Sequence, residues 1–222
     1  MATPAEEQGT PATATGNLNR AFVGRLFDRI TLSQRTRDSI RQVCKVVNEM
    51  GLWPLHLVRV VAELAGLVAR RSKRFQLTRA DGELLSDDRA GALYRRLFLA
   101  YFRRFDLHYE FHLRDVPLIQ QTMAVILWRL DSVERDFTPA RGLARQILMS
   151  RVFGQLHAAT ALYSDNEEWI LGGYVLAPLI ELGLLERKSP GERRIMIEDD
   201  EIRTTALWRK FIRFEPWSGG VA

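Results

Sequence analysis

The sequence predicts a mainly helical chain with small β-hairpins, arranged as two similar units joined by a helical middle segment. Three observations predict it. Apolar residues recur at helical spacing along most of the 222 residues. The period falls from about 3.6 to two after Gly66 and again after Gly183, each time just past an apolar helix. The segment "LIELGLLERKSPGERRIMI" also echoes "VAELAGLVARRSKRFQL" in the order helix, glycine, strand, turn, strand. The expected boundaries are 1–16 for a disordered tail, 17–88 for the first unit, 89–163 for the helical middle segment and 164–222 for the second unit.

Residues 1–16 read MATPAEEQGTPATATG, which lacks periodicity and holds too few apolar groups to order itself, so a tail is expected. Leu18, Phe22, Leu26 and Ile30 recur every four residues and mark a first helix from about Asn19. Ser33 is placed to cap a second, which carries Ile40, Val43, Cys44, Val47 and Met50 on one face and stops at Gly51. Pro54 sits at a first helical position, where its missing N–H costs nothing, and the helix runs to Gly66. Leu67-Val68-Ala69, a turn at Arg70-Arg71-Ser72-Lys73 and Arg74-Phe75-Gln76-Leu77 read as a hairpin. Thr78 then caps a helical turn over Arg79 to Leu85.

Leu93, Leu97, Phe98, Tyr101 and Phe105 form one stripe of the next helix, with Arg95, Arg96, Arg103 and Arg104 on its other faces. Pro117 to Leu130 form another, and Thr138-Pro139, a cap followed by proline, open a third that extends to about Leu162. Glu168 to Leu182 is an apolar helix closed by Gly183 and kinked or divided at Pro178. Leu184-Leu185-Glu186, a turn at Ser189-Pro190-Gly191-Glu192 and Arg194-Ile195-Met196-Ile197 complete a second hairpin.

Cations outnumber anions by 32 to 27, and all but Lys45, Lys73, Lys188 and Lys210 are arginine. Residues 1–88 carry 13 cations against 10 anions, residues 89–150 carry 10 against 6, and residues 151–222 carry 9 against 11. An anionic partner is therefore expected on the first two thirds of the chain. The first 16 residues hold neither Lys nor Arg nor an apolar run, so no targeting signal is expected. Leu52 to Val68 is interrupted by Pro54, His56, Arg59 and Glu63 and falls short of the roughly 20 apolar residues a bilayer demands, so no membrane partner and a cytoplasmic location are expected. The single cysteine, Cys44, reads as a small core residue.

The sequence carries no nucleophile elbow, no Ser-x-x-Lys, no phosphate-binding glycine loop and no dinucleotide fingerprint, and Gly172-Gly173 is too short to cradle a phosphate. His108 and His112 stand four apart with Glu110 between them, but zinc needs a third and usually a fourth ligand. Glu198-Asp199-Asp200-Glu201 reads as a solvated turn. The expectation is a protein that is not an enzyme, with no cofactor and no metal. The rival reading, an unfamiliar active site, would gather Tyr101, His108, Tyr109, Glu110 and His112 in one pocket.

The order helix, helix, helix, hairpin, helix, with the wording "LVRVVAELAGLVARRSKRFQLTRADGELL", resembles a winged-helix unit of many bacterial regulators. The resemblance implies a wing at Arg70, Arg71, Lys73 and Arg74 that lies along a phosphate backbone, with Arg95, Arg96, Arg103 and Arg104 of the next helix as further nucleic-acid contacts. Its third helix offers only His56, Arg59 and Glu63 between Leu55 and Ala65, too little polarity for reading base edges. The expected function is a regulator or accessory factor with weak, mostly nonspecific nucleic-acid contact. The alternative is an interaction or self-assembling protein whose partner is a protein or further copies of itself. The words "FQLTRADGELL", "LYRRLFLAYFRRFDL", "LIQQTMAVILWRL", "LIELGLLER" and "RTTALWRKFIRF", between Arg59 and Phe214, resemble an uncharacterised bacterial family whose members often carry a plasmid open-reading-frame domain at their N-terminus. That resemblance implies a fold and no activity, and it leaves the family's usual front domain without a counterpart.

Overall fold

Asparagine, proline and glycine set the borders of the elements in the computed structural model, which describes residues 9–30, 32, 34–43, 46–78, 82–111, 117–132, 136–160, 167–188 and 200–215. The fold is mainly helical with two small antiparallel sheets. The chain divides into two units, Met1–Phe105 and Asp106–Ala222, so the division falls inside the stretch 89–163 assigned from sequence to a helical middle segment.

The first unit runs β1 (Thr10–Pro11), α1 (Arg20–Arg29), α2 (Gln34–Val43), α3 (Trp53–Leu64), β2 (Val68–Arg71), β3 (Arg74–Leu77), short 3-10 turns at Gly82–Leu85 and Asp87–Arg89, and α4 (Ala90–Arg103). Asn19 caps α1, its side chain accepting from the Phe22 N–H at 2.9 Å. Pro54 lies in the first turn of α3. Leu18, Val23, Phe27, Leu52, Leu55 and Phe75 close the core. Each such side chain contributes about 1.5–3 kcal/mol when withdrawn from water.

Two expectations for this unit are corrected. Residues 10–11 are not tail but an edge strand, with Thr10 opposite Phe75 and Pro11 opposite Arg74. Main-chain pairing holds them, which needs no apolar side chains and so leaves no periodic signal. The second helix, described over Gln34–Val43, does not run to Gly51: residues 46–51 are non-helical, and the Asn48 side chain accepts from the Gly51 N–H at 2.8 Å. Ser33 and Cys44 lie outside the described residues. The Thr78 hydroxyl donates to the Gly66 carbonyl at 2.8 Å, and the described 3-10 turn runs over Gly82–Leu85; residues 79–81, which Thr78 is expected to cap, lie outside the described residues.

The second unit runs α5 (Leu107–Phe111), α6 (Pro117–Gln121), α7 (Met123–Ser132), β4 (Thr138–Pro139), α8 (Leu143–Ile147), α9 (Ser150–Thr160), α10 (Glu167–Leu171), a π-helical turn (Gly172–Leu176), α11 (Ala177–Glu181), β5 (Leu185–Lys188), β6 (Glu201–Thr204) and α12 (Ala206–Phe211). Thr138-Pro139 form a strand and not a helix start, and the helix expected to follow is two helices entered from Gly142 at φ 77°. The strand that pairs with β5 is Glu201–Thr204 instead of Arg194–Ile197, which lies outside the described residues. Leu107–Phe111 is helical, although its apolar residues alternate. The helical stretch runs on through Pro178 without a break, and the π-helical turn directly before it, with the Ala177 N–H bonded to Gly172 O, is where the helix departs from regular α geometry. Trp208 is fully buried, and its Nε1 donates to Asp131 Oδ1 at 2.7 Å.

Both units follow strand, three helical stretches, hairpin, and both sheets place the first strand beside the third, in the orders β1-β3-β2 and β4-β6-β5. The agreement extends to single hydrogen bonds. Ala12 N–H donates to Lys73 O and Ala140 N–H to Asp200 O, each at 2.8 Å. Gly66 and Gly183 take φ of 75° and 73°, the left-handed value that favours glycine. Leu67 N–H reaches Ala62 O at 2.9 Å, and Leu184 N–H reaches Leu179 O at 2.8 Å. Thr78 and Thr205 donate their hydroxyls to Gly66 O and Gly183 O, each at 2.8 Å. The loose sequence echo is thus a shared topology, with Thr-Pro opening both sheets.

Candidate nucleic-acid interface

The first hairpin turns on two residues, Ser72 and Lys73, both at positive φ (48° and 59°). A two-residue turn of this kind matches the twist of its strands but is costly for residues other than Gly, Asn or Asp. It places Lys73 at the tip and Arg70 and Arg71 in β2, so those two arginines belong to a strand and not to the turn. Arg71 stands directly opposite Arg74, a like-charge pair that opposes folding. Arg70, Arg71 and Lys73 are exposed and take part in no ion pair among the described residues. Arg74 is half-buried and donates through Nη2 to the Gly9 carbonyl at 2.6 Å, which fastens the edge strand.

The four arginines of α4 and its C-cap divide by what they bond. Arg95, Arg103 and Arg104 are exposed and Arg96 is half-buried. Arg96 donates through Nε to Ala65 O at 2.7 Å, and Arg104 donates through Nη1 to Leu64 O at 2.9 Å. Those carbonyls end α3 without helical partners, and a cation there also meets the negative end of the helix dipole. Arg37 does the same for α1, donating to Phe27 O at 2.7 Å and Ile30 O at 3.0 Å, and Arg129 donates to Leu148 O at 2.5 Å after α8. Arginine's forked donors suit paired carbonyls, so part of the arginine excess is structural.

The structure also holds a buried polar cluster around the three polar residues of α3. Glu49, withdrawn from solvent, accepts from His56 Nδ1 at 2.7 Å, from Arg59 Nε at 2.6 Å and from the Leu18 N–H. Arg59 also pairs with Glu63 and lies 5.3 Å from the centre of the Phe75 ring. The spacing of Arg59 and Glu63 by four was a legible signal; Glu49 was not, because it reaches the site from a turn. The three polar residues of α3 are thereby engaged in this cluster, and its outward face presents Val58, 62% exposed.

The second hairpin handles charge differently. Lys188 pairs with Glu201 at 2.8 Å, Arg203 with Glu186 at 2.6 Å, and Arg187 with the fully buried Asp200 at 3.0 Å. Phe137 lies under Lys188 and Arg203, at 5.6 and 4.4 Å. Asp200 and Glu201 thus belong to a paired strand end and not to a solvated turn, while Glu198 and Asp199 lie outside the described residues.

Among the described residues no group of three His, Cys, Asp or Glu is placed to hold a metal. His108 lines a small pocket of about 80 Å³ with Asp106, Gln120 and Tyr174. Tyr109 is exposed, Tyr101 is buried against Phe102 and Phe105 in the first unit, and His112 and the side chain of Glu110 lie outside the description. Glu167 is held below the usual carboxylate range: burial pushes it up, but hydrogen bonds from its backbone and from His157, with the charges of His157 and Arg145, outweigh that. No helix among the described residues is long and apolar enough to cross a membrane.

Residues 1–91 match the family model described as the Y4jL N-terminal domain. The match begins well ahead of Arg59, where the sequence resemblance starts. No curated protein and no solved structure matches the chain.

Proposed function

We propose that the protein is a non-enzymatic binding module that grips nucleic acid through its first hairpin, used as the wing of a winged-helix-like unit. The observation that carries this reading is the contrast between the hairpins. Arg70, Arg71 and Lys73 project without carboxylate partners among the described residues, whereas Lys188, Arg187 and Arg203 are each matched by one. Exposed cations on a tight turn contact phosphates and release counterions whatever the base sequence. Base reading is not part of the proposal, because His56, Arg59 and Glu63 are occupied with one another and with Glu49. Arg95 and Arg103 add outward charge to the same unit; Arg74, Arg96 and Arg104 act on the backbone.

Anisotropy of a labelled random duplex, at low and at physiological salt, tests the reading with R70S/R71S/K73S alongside the wild type. Binding that falls steeply with salt and is lost in the variant supports it. No binding at low salt, or equal binding by the variant, overturns it.

A further inference from the structure

We infer that the open face of α3 in the first unit docks an amphipathic helix of a partner protein whose apolar stripe is flanked by carboxylates. Phe22 and Leu26 of α1, Val58 and Ala62 of α3, Val68 of β2 and Leu77 of β3 line a groove of about 780 Å³. Val58 and Leu77 are 62% and 59% exposed, although valine and leucine each gain from leaving water.

The second unit points to the kind of occupant. The paired hydrogen bonds of Leu67 to Ala62 and of Leu184 to Leu179 make Ala62 and Leu179 equivalent positions. Four residues earlier, Val58 corresponds to Val175, or to Tyr174 if the π-helical turn adds one residue. Tyr174, Val175 and Leu179 are all buried, as is Leu185, the counterpart of Val68. What packs on that stretch is a helix: α5 lies against the π-helical turn, and its Leu107 shares a pocket with Tyr174 and Ile119 of α6. The same face of the same topology is thus covered by helices in one unit and left open in the other.

Charge decides the partner's flanks. Arg25 and Arg29 are exposed on α1, one helical turn beyond Phe22 and Leu26, and Arg25 lies 5.6 Å from the Phe22 ring. Among the described residues neither takes part in an ion pair. Carboxylates beside the apolar stripe would meet them, as interhelical charge pairs do in other helix-in-groove complexes.

The probe is a labelled helical peptide with Leu at i, i+3, i+4 and i+7 and Glu between, set against a Leu/Lys counterpart, titrated with the full-length chain. Saturable binding of the Leu/Glu peptide is expected. It should weaken at least about tenfold in Val58→Asp, a loss typical of a central anchor, weaken in R25E/R29E, and stay unchanged in R70S/R71S/K73S. Circular dichroism melts check folding, and Leu77→Asp, on an exposed strand position, serves as a second variant. Absence of saturable binding, or equal binding by folded Val58→Asp and Leu77→Asp, overturns the inference. So does a wild type that sediments as a dimer and becomes monomeric in Val58→Asp, since a second copy would then fill the groove.

Discussion

Arg59 donates through Nε to Glu49 Oε1 over 2.6 Å inside the first unit, joining the middle of α3 to the turn that precedes it. Glu49 has almost no contact with solvent, so removing either partner strands a charge away from water. Glu49→Ala should cost about 3–5 kcal/mol, the usual loss for one half of a buried pair, read as a lowered urea midpoint for the first unit. Glu186→Ala, which breaks the exposed pair with Arg203, should cost only about 0–1 kcal/mol. Equal effects of the two changes would contradict the buried network.

Gly66 and Gly183 hold equivalent left-handed positions, but their surroundings differ. A methyl group at Gly66 would lie 3.2 Å from the Arg96 guanidinium, and one at Gly183 would lie 3.9 Å from Leu207. Both alanine variants should lose about 1–2 kcal/mol from backbone strain. Gly66→Ala should lose more, because Arg96 must also shift from the Ala65 carbonyl it closes. Chemical unfolding of the two variants measures the difference, and an equal loss would show that Arg96 adapts freely.

Glu167 makes one part of stability pH-dependent. Its carboxyl is held below the ordinary value, so it binds its proton less readily folded than unfolded. The stability it contributes is therefore present above the ordinary carboxylate range and is lost as pH falls through the lowered folded value. Wild type and Glu167→Gln should differ above the ordinary carboxylate range and converge in acid, as pH falls through the lowered folded value. Thermal melts across that range check the sign, and a gap that widened in acid would refute it.

Periodicity and punctuation were legible wherever side chains carry the structure. Asn19, Pro54, Gly66 and Gly183 mark true borders, and the helix, helix, helix, hairpin order of the first unit stands in its sequence. The Thr-Pro strands were not legible, because they are held by main-chain bonds to β3 and β6. In the candidate interface, sequence located the eight cations but could not tell which point outward. Arg95 and Arg96 are neighbours, yet one faces solvent and the other ends α3, a division set by packing that no local pattern encodes.

The hairpin contrast gives the most direct prediction. Each phosphate neutralised on duplex DNA contributes about 0.9 to the slope of log affinity against log salt. If Arg70, Arg71 and Lys73 each meet one phosphate, R70S/R71S/K73S should lower the magnitude of that slope by roughly 2 to 3. The second hairpin offers the converse change. Glu186 and Glu201 neutralise Arg203 and Lys188, so E186Q/E201Q frees two cations on the corresponding strands without adding one. That variant should bind duplex more tightly at low salt and show a slope steeper by up to about 2. A steeper slope would mean that the second hairpin is kept off nucleic acid by its own carboxylates. An unchanged slope would mean that its course, and not its charge, turns it away, which would confine the proposed grip to the two-residue turn at Ser72 and Lys73.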